Sequence, residues 1–193
     1  LGDVYKRQTL CWYWVVQKGK ATFMDHRVLD TQRWLNRTYK THPGWVNAPE
    51  TGNTGWPTIA ALTRALQIEL GIKDLSSRFG ETTTSLWNLK IGNLNQTSGV
   101  HASILAILSG ALWCKGYAGA DTTKLPKGPK DAFLIRFEEF SDSIVKIKQD
   151  IGLPPNLRSR DVNAKLMASL LSMDAYVRPQ YQGCLLYTSP SPR

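Results

Sequence analysis

Thr51 to Thr83, TGNTGWPTIAALTRALQIELGIKDLSSRFGETT, is the stretch whose reading decides the fold. It holds one pattern twice, Gly55-x-x-Thr58 and Gly80-x-x-Thr83, 25 residues apart. Each copy reads as a turn feeding a helix start. Glycine admits the positive φ of a tight turn, a threonine in the first turn can satisfy free N–H groups, and Pro57 lacks the N–H that would be orphaned there. Between the copies Ile59, Leu62, Leu66 and Leu70 recur at helical spacing, with Ala61, Ala65 and Ile68 widening the stripe, and Gly71 stops the run. Spacing alone supports a helix, a turn and a second helix.

Working outward, Asp25 to Lys40 reads as a preceding helix, N-capped by Asp25, with Val28, Leu35 and Tyr39 on one face, Leu29 at its margin, and Gln32 and Arg33 towards solvent. Thr41 to Thr54, THPGWVNAPETGNT, is dense in Gly, Pro, Asn and Thr and must be loop, long enough to suggest binding. Helices follow over about Pro57 to Leu70 and Glu81 to Lys90, the latter with Leu86 and Leu89 as core candidates. Residues 92–99, GNLNQTSG, look like a linker. Beyond it, Val100 to Tyr117 is an apolar helix built on Ile104, Ile107, Leu108, Ala111 and Leu112. A further helix spans Asp131 or Ala132 to Ile151, with Phe133, Phe137, Phe140, Ile144, Ile147 and Ile151 at three- and four-residue steps. The last covers Val162 to Tyr176, capped by Asp161, with Leu166, Leu170 and Met173 inward. This predicts an all-α chain with no strand signal, arranged as two small three-helix modules in tandem, residues 24–91 and 100–177, with residues 178–183 opening a further segment.

The formal charge of +9 over 193 residues invites a nucleic-acid reading. The two ends alter that number. Residues 1–8, LGDVYKRQ, can be encoded by CTC GGA GAT GTG TAT AAG AGA CAG, whose reverse complement translates as CLLYTSP, the sequence of Cys184 to Pro190. One inverted DNA element thus accounts for both termini, and it resembles a sequencing-library adapter. Residues 1–8 and 184–193 are therefore set apart from the fold, and Met24, where periodicity begins, is the candidate start. Leu10 to Val16 is too short to span a bilayer. From Met24 to Gly183 there remain 19 basic and 14 acidic residues, a net of +5 spread along the chain. Cys114 is the one cysteine left there, and inside an apolar run it reads as a small buried hydrophobe.

Val28-Leu29-x-x-Gln32-x-x-Leu35-Asn36, Thr51-Gly52-x-Thr54-Gly55-x-x-Thr58-x-x-Ala61-Leu62, Leu66-Gln67, Gly71-Ile72 and Phe79-Gly80-x-x-Thr83 together resemble the three-helix peptidoglycan-binding domain. Thr51 stands where that family carries Asp, Thr54 where it carries an apolar residue, and Pro57 one place after its usual proline. The second unit, through Ala111 to Tyr117, Gln149-Asp150-x-Gly152-Leu153 and Leu170 to Val177, resembles a bacterial and phage group in which two helical units precede a glycoside hydrolase-like barrel. The resemblance implies a module that binds peptidoglycan or a related cell-wall glycan, outside the cell or on its wall, with catalysis supplied by a following domain. It implies no cofactor, no nucleic acid and no membrane partner.

Within this chain no catalytic set emerges. Glycan hydrolysis needs two carboxylates facing each other across the bond, and Glu138 and Glu139 are neighbours that point apart, while Glu50 and Glu81 have no evident partner. His26, His42 and His101 share no metal-ligand spacing. Binding is better supported. Trp45 and Trp56 can offer ring faces to a sugar while Asn47, Asn53 and Thr54 offer hydrogen bonds, with Thr58 at the helix start. The competing reading packs both tryptophans onto the core. Trp34, Trp87 and Trp113 read as core residues. A helical nucleic-acid-binding module using Arg33, Arg37, Lys40 and Lys73, or a protein-interaction module, is the alternative.

Overall fold

A computed structural model describes residues 13–17, 20–98, 102–125 and 135–172. The fold is all-α. Among the described residues there are six helices, α1 (His26–Tyr39), α2 (Trp56–Glu69), α3 (Glu81–Lys90), α4 (Ala102–Cys114), α5 (Ser141–Asp150) and α6 (Ala164–Leu170). Short 3-10 turns lie at Thr122–Lys124, Phe137–Glu139 and Pro155–Leu157. Ahead of the helices, and against the expectation of no strand, is an antiparallel pair, β1 (Tyr13–Gln17) with β2 (Lys20–Met24), in register from Tyr13 opposite Met24 to Gln17 opposite Lys20. Its β-branched and aromatic content, Val15, Val16, Thr22 and Phe23, suits strands.

α1 starts as its sequence dictates, with the Asp25 carboxylate accepting from Arg27 N–H at 2.8 Å. α2 and α3 start differently from the reading of their motif. Gly55 and Gly80 are N-caps with φ of 177° and −91°, so neither uses the left-handed region. The positive φ belongs instead to Gly52, at 70°, and to Gly71, at 78°, where α2 stops. Nor do Thr58 and Thr83 cap their own helices, because both hydroxyls are engaged by glutamines of the preceding helices.

The helices share one hydrophobic core, running from Val28 through Leu62, Leu108 and Phe140 to Leu171, where the sequence suggested two modules. α4 is its centre. It is apolar on all sides, and ten of its thirteen residues are buried, against α1, α2 and α6. Gly110 permits that packing. A Cβ there would lie 2.5 Å from Thr31 Cγ2 and 3.2 Å from Leu62 Cδ2, so its missing side chain is what lets α4 approach α1 and α2 together. The presumed linker is also built in. Leu94 is fully buried and exchanges two backbone hydrogen bonds with Val162, at 2.9 and 2.8 Å, joining the segment after α3 to the start of α6.

Other expectations change for local reasons. The proposed continuous helix to Ile151 is broken at Phe140, whose φ of −131° is not helical. Phe137 and Phe140 meet edge to face at 5.4 Å across a 3-10 turn, which stacks residues i and i+3. Phe133 lies outside the described residues, as do Met173, Tyr176 and His101. Ile151 is 41% exposed and Leu89 79% exposed, so neither is core. α3 buries Thr83 and Trp87, one turn apart, with Leu86 at their margin. α6 is capped by Asn163, whose side chain accepts from Leu166 N–H at 2.9 Å. Asp161 is occupied elsewhere, accepting from Lys148 Nζ at 2.8 Å. Trp113 is only half-buried, with the Arg27 guanidinium 3.9 Å over its ring.

Candidate functional site

The loop between α1 and α2 is organised by a residue expected to face solvent. Gln32 is fully buried. Its position three residues after Leu29 and four after Val28 puts it in the middle of α1's packed face. Gln32 Oε1 accepts from the backbone N–H groups of Thr51 and Gly52 at 3.0 and 2.9 Å. Its Nε2 donates to the Asn53 carbonyl at 2.9 Å and to Thr58 Oγ1 at 2.8 Å. One amide thus binds three consecutive loop residues and the first turn of α2, with every polar valence used in the sense its chemistry allows. One turn later Asn36 repeats the operation, accepting from Ala48 N–H at 2.8 Å and donating to the Ala48 carbonyl and to Glu50 Oε1, each at 2.9 Å. Asp25 N–H closes the bracket on the Gly52 carbonyl at 2.9 Å.

Within this frame the predicted ligand residues separate. Thr58 is buried and holds the bracket. Thr54 is buried too, and its hydroxyl donates to the Cys114 carbonyl at 3.1 Å, fastening the loop to the end of α4. Both are removed from any surface that could meet a polymer. Asn53 is half-buried and serves the bracket through its carbonyl, which accepts from Gln32. Trp45 and Asn47 come together: Trp45 Nε1–H donates to Asn47 Oδ1 at 3.0 Å, and the half-buried ring lies against Tyr39, centroids 5.3 Å apart and planes inclined by 35°. Tyr39 is itself fixed by donating to Glu69 at 2.7 Å, and burial followed by the Glu69 charge pushes its ionisation well above the usual tyrosine range. Trp56 is half-buried against the core, so each of the two competing readings of these tryptophans is partly met.

Two clefts flank the loops. One, of about 510 Å³, lies between α1 and the Thr122–Lys124 turn, walled by Asp30, Arg33, Trp34, Arg37, Thr122 and Leu125 among others. The other, of about 430 Å³, lies at the α2–α3 turn beside Gln67, Lys73, Glu81 and Leu86. The first was not legible from sequence, because it joins α1 to residues about 90 positions later, including the 2.9 Å hydrogen bond from Thr122 to Asp30.

The chain is similar to two longer Bacillus proteins. Over 156 residues, 80% of this chain and 24% of the relative, it is 40% identical to the uncharacterized protein FadG of Bacillus subtilis (strain 168). Over 153 residues, 79% of this chain and 19% of the relative, it is 37% identical to the uncharacterized protein YbfG of the same organism. The chain spans about a quarter or less of the length of these relatives, so the similarity concerns one segment of each. No protein-family model matches the chain, and no solved structure matches it.

The charges are largely interleaved. Lys124 pairs with Glu139 at 2.9 Å, Lys146 with Asp150 at 3.2 Å and Arg160 with Asp142 at 2.8 Å. Lys148, nearly buried, donates to the Ser159 carbonyl at 2.9 Å and to Asp161. Burial would raise the Asp161 carboxyl, but hydrogen bonds from Lys148 and Ser159 outweigh it and hold the group below the ordinary aspartate range. Glu139 is thus tied to Lys124, while Glu138 is exposed. Cys114 is buried, and desolvation pushes its thiol up to about 11, far from a nucleophile's range. His42 Nδ1 lies 2.9 Å from the Pro43 carbonyl, and no group of three metal-ligating side chains occurs among the described residues.

Proposed function

We propose that this helical unit is a peptidoglycan-binding module of a larger cell-wall lytic, glycoside hydrolase-like protein, acting outside the cell or on its wall. The observation that carries the reading is the half-buried Trp45 ring, pinned by Asn47 on a loop that Gln32 and Asn36 hold from behind. A sugar binds well to an aromatic face that is already ordered, since little conformational freedom is then lost on contact. Nothing in this unit needs to perform chemistry. Its contribution is concentration: a domain tethered to a bound module meets its polymer as though in an intramolecular encounter.

Purified sacculi provide the test. The chain is expected to sediment with them, and Trp45→Ala is expected to lower retention several-fold at a temperature where circular dichroism shows the variant, which loses its packing on Tyr39, still folded. Retention should change little between low and moderate salt, as expected for stacking on a neutral sugar. Absence of retention overturns the proposal. A steep loss with salt, together with DNA binding of the same steepness, would instead assign the surface to nucleic acid.

A further inference from the structure

We infer that Trp45 and Asn47 together form an acetamido-recognition site, reading the N-acetyl group of a neutral 2-acetamido sugar; this deepens the wall-binding proposal and rests on it for the place of contact. An indole N–H can only donate, so its 3.0 Å contact decides which end of the Asn47 amide faces it. Oδ1 accepts, and Nδ2 is left at the other end. Asn47 is exposed, and neither N–H of its Nδ2 meets an acceptor among the described residues. The backbone N–H groups of Val46 and Asn47 are likewise unspent there, whereas those of Trp45 and Ala48 are held by the His42 carbonyl and by Asn36 Oδ1.

The chemistry left over selects the ligand. Beside the indole edge the side chain of Asn47 has donors to give, so the group it meets is an acceptor. No residue from Pro43 to Pro49 carries a charge. Glu50, next in the chain, already accepts from Asn36 and faces Arg33 at 3.7 Å. Nothing in this segment favours an anion or an ammonium ion, and the acceptor is therefore a neutral carbonyl oxygen. The ring asks for an apolar group close to that oxygen. An acetamido group carries both on one carbon, a carbonyl oxygen for Nδ2 and a methyl for the indole. A sugar hydroxyl in its place has no methyl to offer. The pair is also ordered in advance: Trp45 is half-buried against Tyr39, and Ala48 is held by Asn36 at both its N–H and its carbonyl, so little freedom is lost on contact.

The experiment is a calorimetric titration of the whole chain with three soluble trisaccharides: tri-N-acetylchitotriose, its de-N-acetylated counterpart, and cellotriose, which carries hydroxyls in place of the acetamido groups. The acetylated trimer is expected to bind about tenfold more tightly than cellotriose, as one well-made hydrogen bond implies. Asn47→Asp keeps an oxygen for the indole and replaces both donors by a second oxygen. It should abolish that preference, and since both sugars are neutral the new charge does not bias their ratio. The same variant should gain affinity for the de-N-acetylated trimer, whose ammonium groups suit a carboxylate. The Trp45 indole ¹H–¹⁵N resonance, assigned by its disappearance in Trp45→Phe, reports whether the ring stays pinned; where it moves in the variant, the preference of the parent decides. No binding of the acetylated trimer, equal binding of cellotriose, or a preference that survives in Asn47→Asp with the ring still pinned overturns the inference. Sacculus retention without the acetyl preference would overturn this inference alone, and the preference without retention would overturn the wall proposal alone.

Discussion

Gln32 and Gln67 do the same job in two surroundings. Gln32 projects from the middle of α1 and Gln67 from the last turn of α2, and each gathers the loop that follows and ends on the threonine of the next Gly-x-x-Thr. Gln67 accepts from Ser76 N–H at 2.8 Å and donates to the Arg78 carbonyl at 3.1 Å and to Thr83 Oγ1 at 3.3 Å. Gln32 reaches Thr58 Oγ1 at 2.8 Å. The difference lies in what surrounds the bonded groups. Gly52 is buried under Met24 and Asp25, while Ser76 and Arg78 are exposed. Water can replace Gln67 and cannot readily replace Gln32. The doubled motif is therefore one device with a strong and a weak copy, and the strong copy sits beneath the loop that carries Trp45.

The sharpest way to break this comparison is to remove both amides. Gln32→Leu keeps the bulk but leaves the buried Gly52 N–H without an acceptor, and it should cost about 3 kcal/mol. Gln67→Leu leaves the exposed Ser76 and Arg78 groups to water, with Thr83 Oγ1 the one buried partner that loses a bond, and should cost about 1 kcal/mol. Urea unfolding with an unchanged slope reads both. Equal losses would mean that burial does not distinguish the copies.

Next in size is Gly52→Ala, expected to cost about 2 kcal/mol from the left-handed backbone alone. Its φ is 70°, and the new Cβ would meet Met24 Cγ at 2.4 Å and the Asp25 carbonyl oxygen at 3.0 Å. The methionine can swing aside, but the carbonyl belongs to the α1 cap and cannot. Loss of cooperativity confined to the N-terminal region, with no change in midpoint, would contradict this account.

Much of the helix map was legible because apolar period and caps agreed: α3 was read at its observed bounds, and α1 from its Asp25 cap. The all-α class followed. Gln32 reads as exposed on polarity alone, although its spacing from Val28, Leu29 and Leu35 puts it on the buried face. Thr54 and Thr58 read as available to a ligand for the same reason, while the partners that bury them, Cys114 and Gln32, lie 60 and 26 residues away. The Phe137–Phe140 spacing fits a 3-10 turn as well as an α-helix, so pattern alone could not find the break. The cleft at Arg33 and Arg37 depended on a contact across the whole chain, which no local signal announces.

The threonines give a finer test of the same contrast. Thr58→Val is expected to cost about 1 kcal/mol and Thr83→Val about half of that, because valine keeps the shape and removes one acceptor. Both residues are buried, so exposure cannot explain a difference; hydrogen-bond length can, at 2.8 Å against 3.3 Å. A larger loss at Thr83 would reverse the ranking of the copies.

The smallest effect is expected at Gly80, the counterpart cap of Gly55. With φ at −91° its backbone suits any residue, and a Cβ there meets nothing within 4 Å. Alanine is a poorer N-cap than glycine, but it also restricts the unfolded chain, by about 0.4–1 kcal/mol. The two effects oppose, and Gly80→Ala should leave stability within about 0.5 kcal/mol of the parent. A loss of about 2 kcal/mol, matching Gly52→Ala, would show that the motif's glycine is required for its conformation after all. A near-neutral result locates the requirement at Gly52, three residues before the first motif begins, where loop, α1 cap and the amide of Gln32 converge.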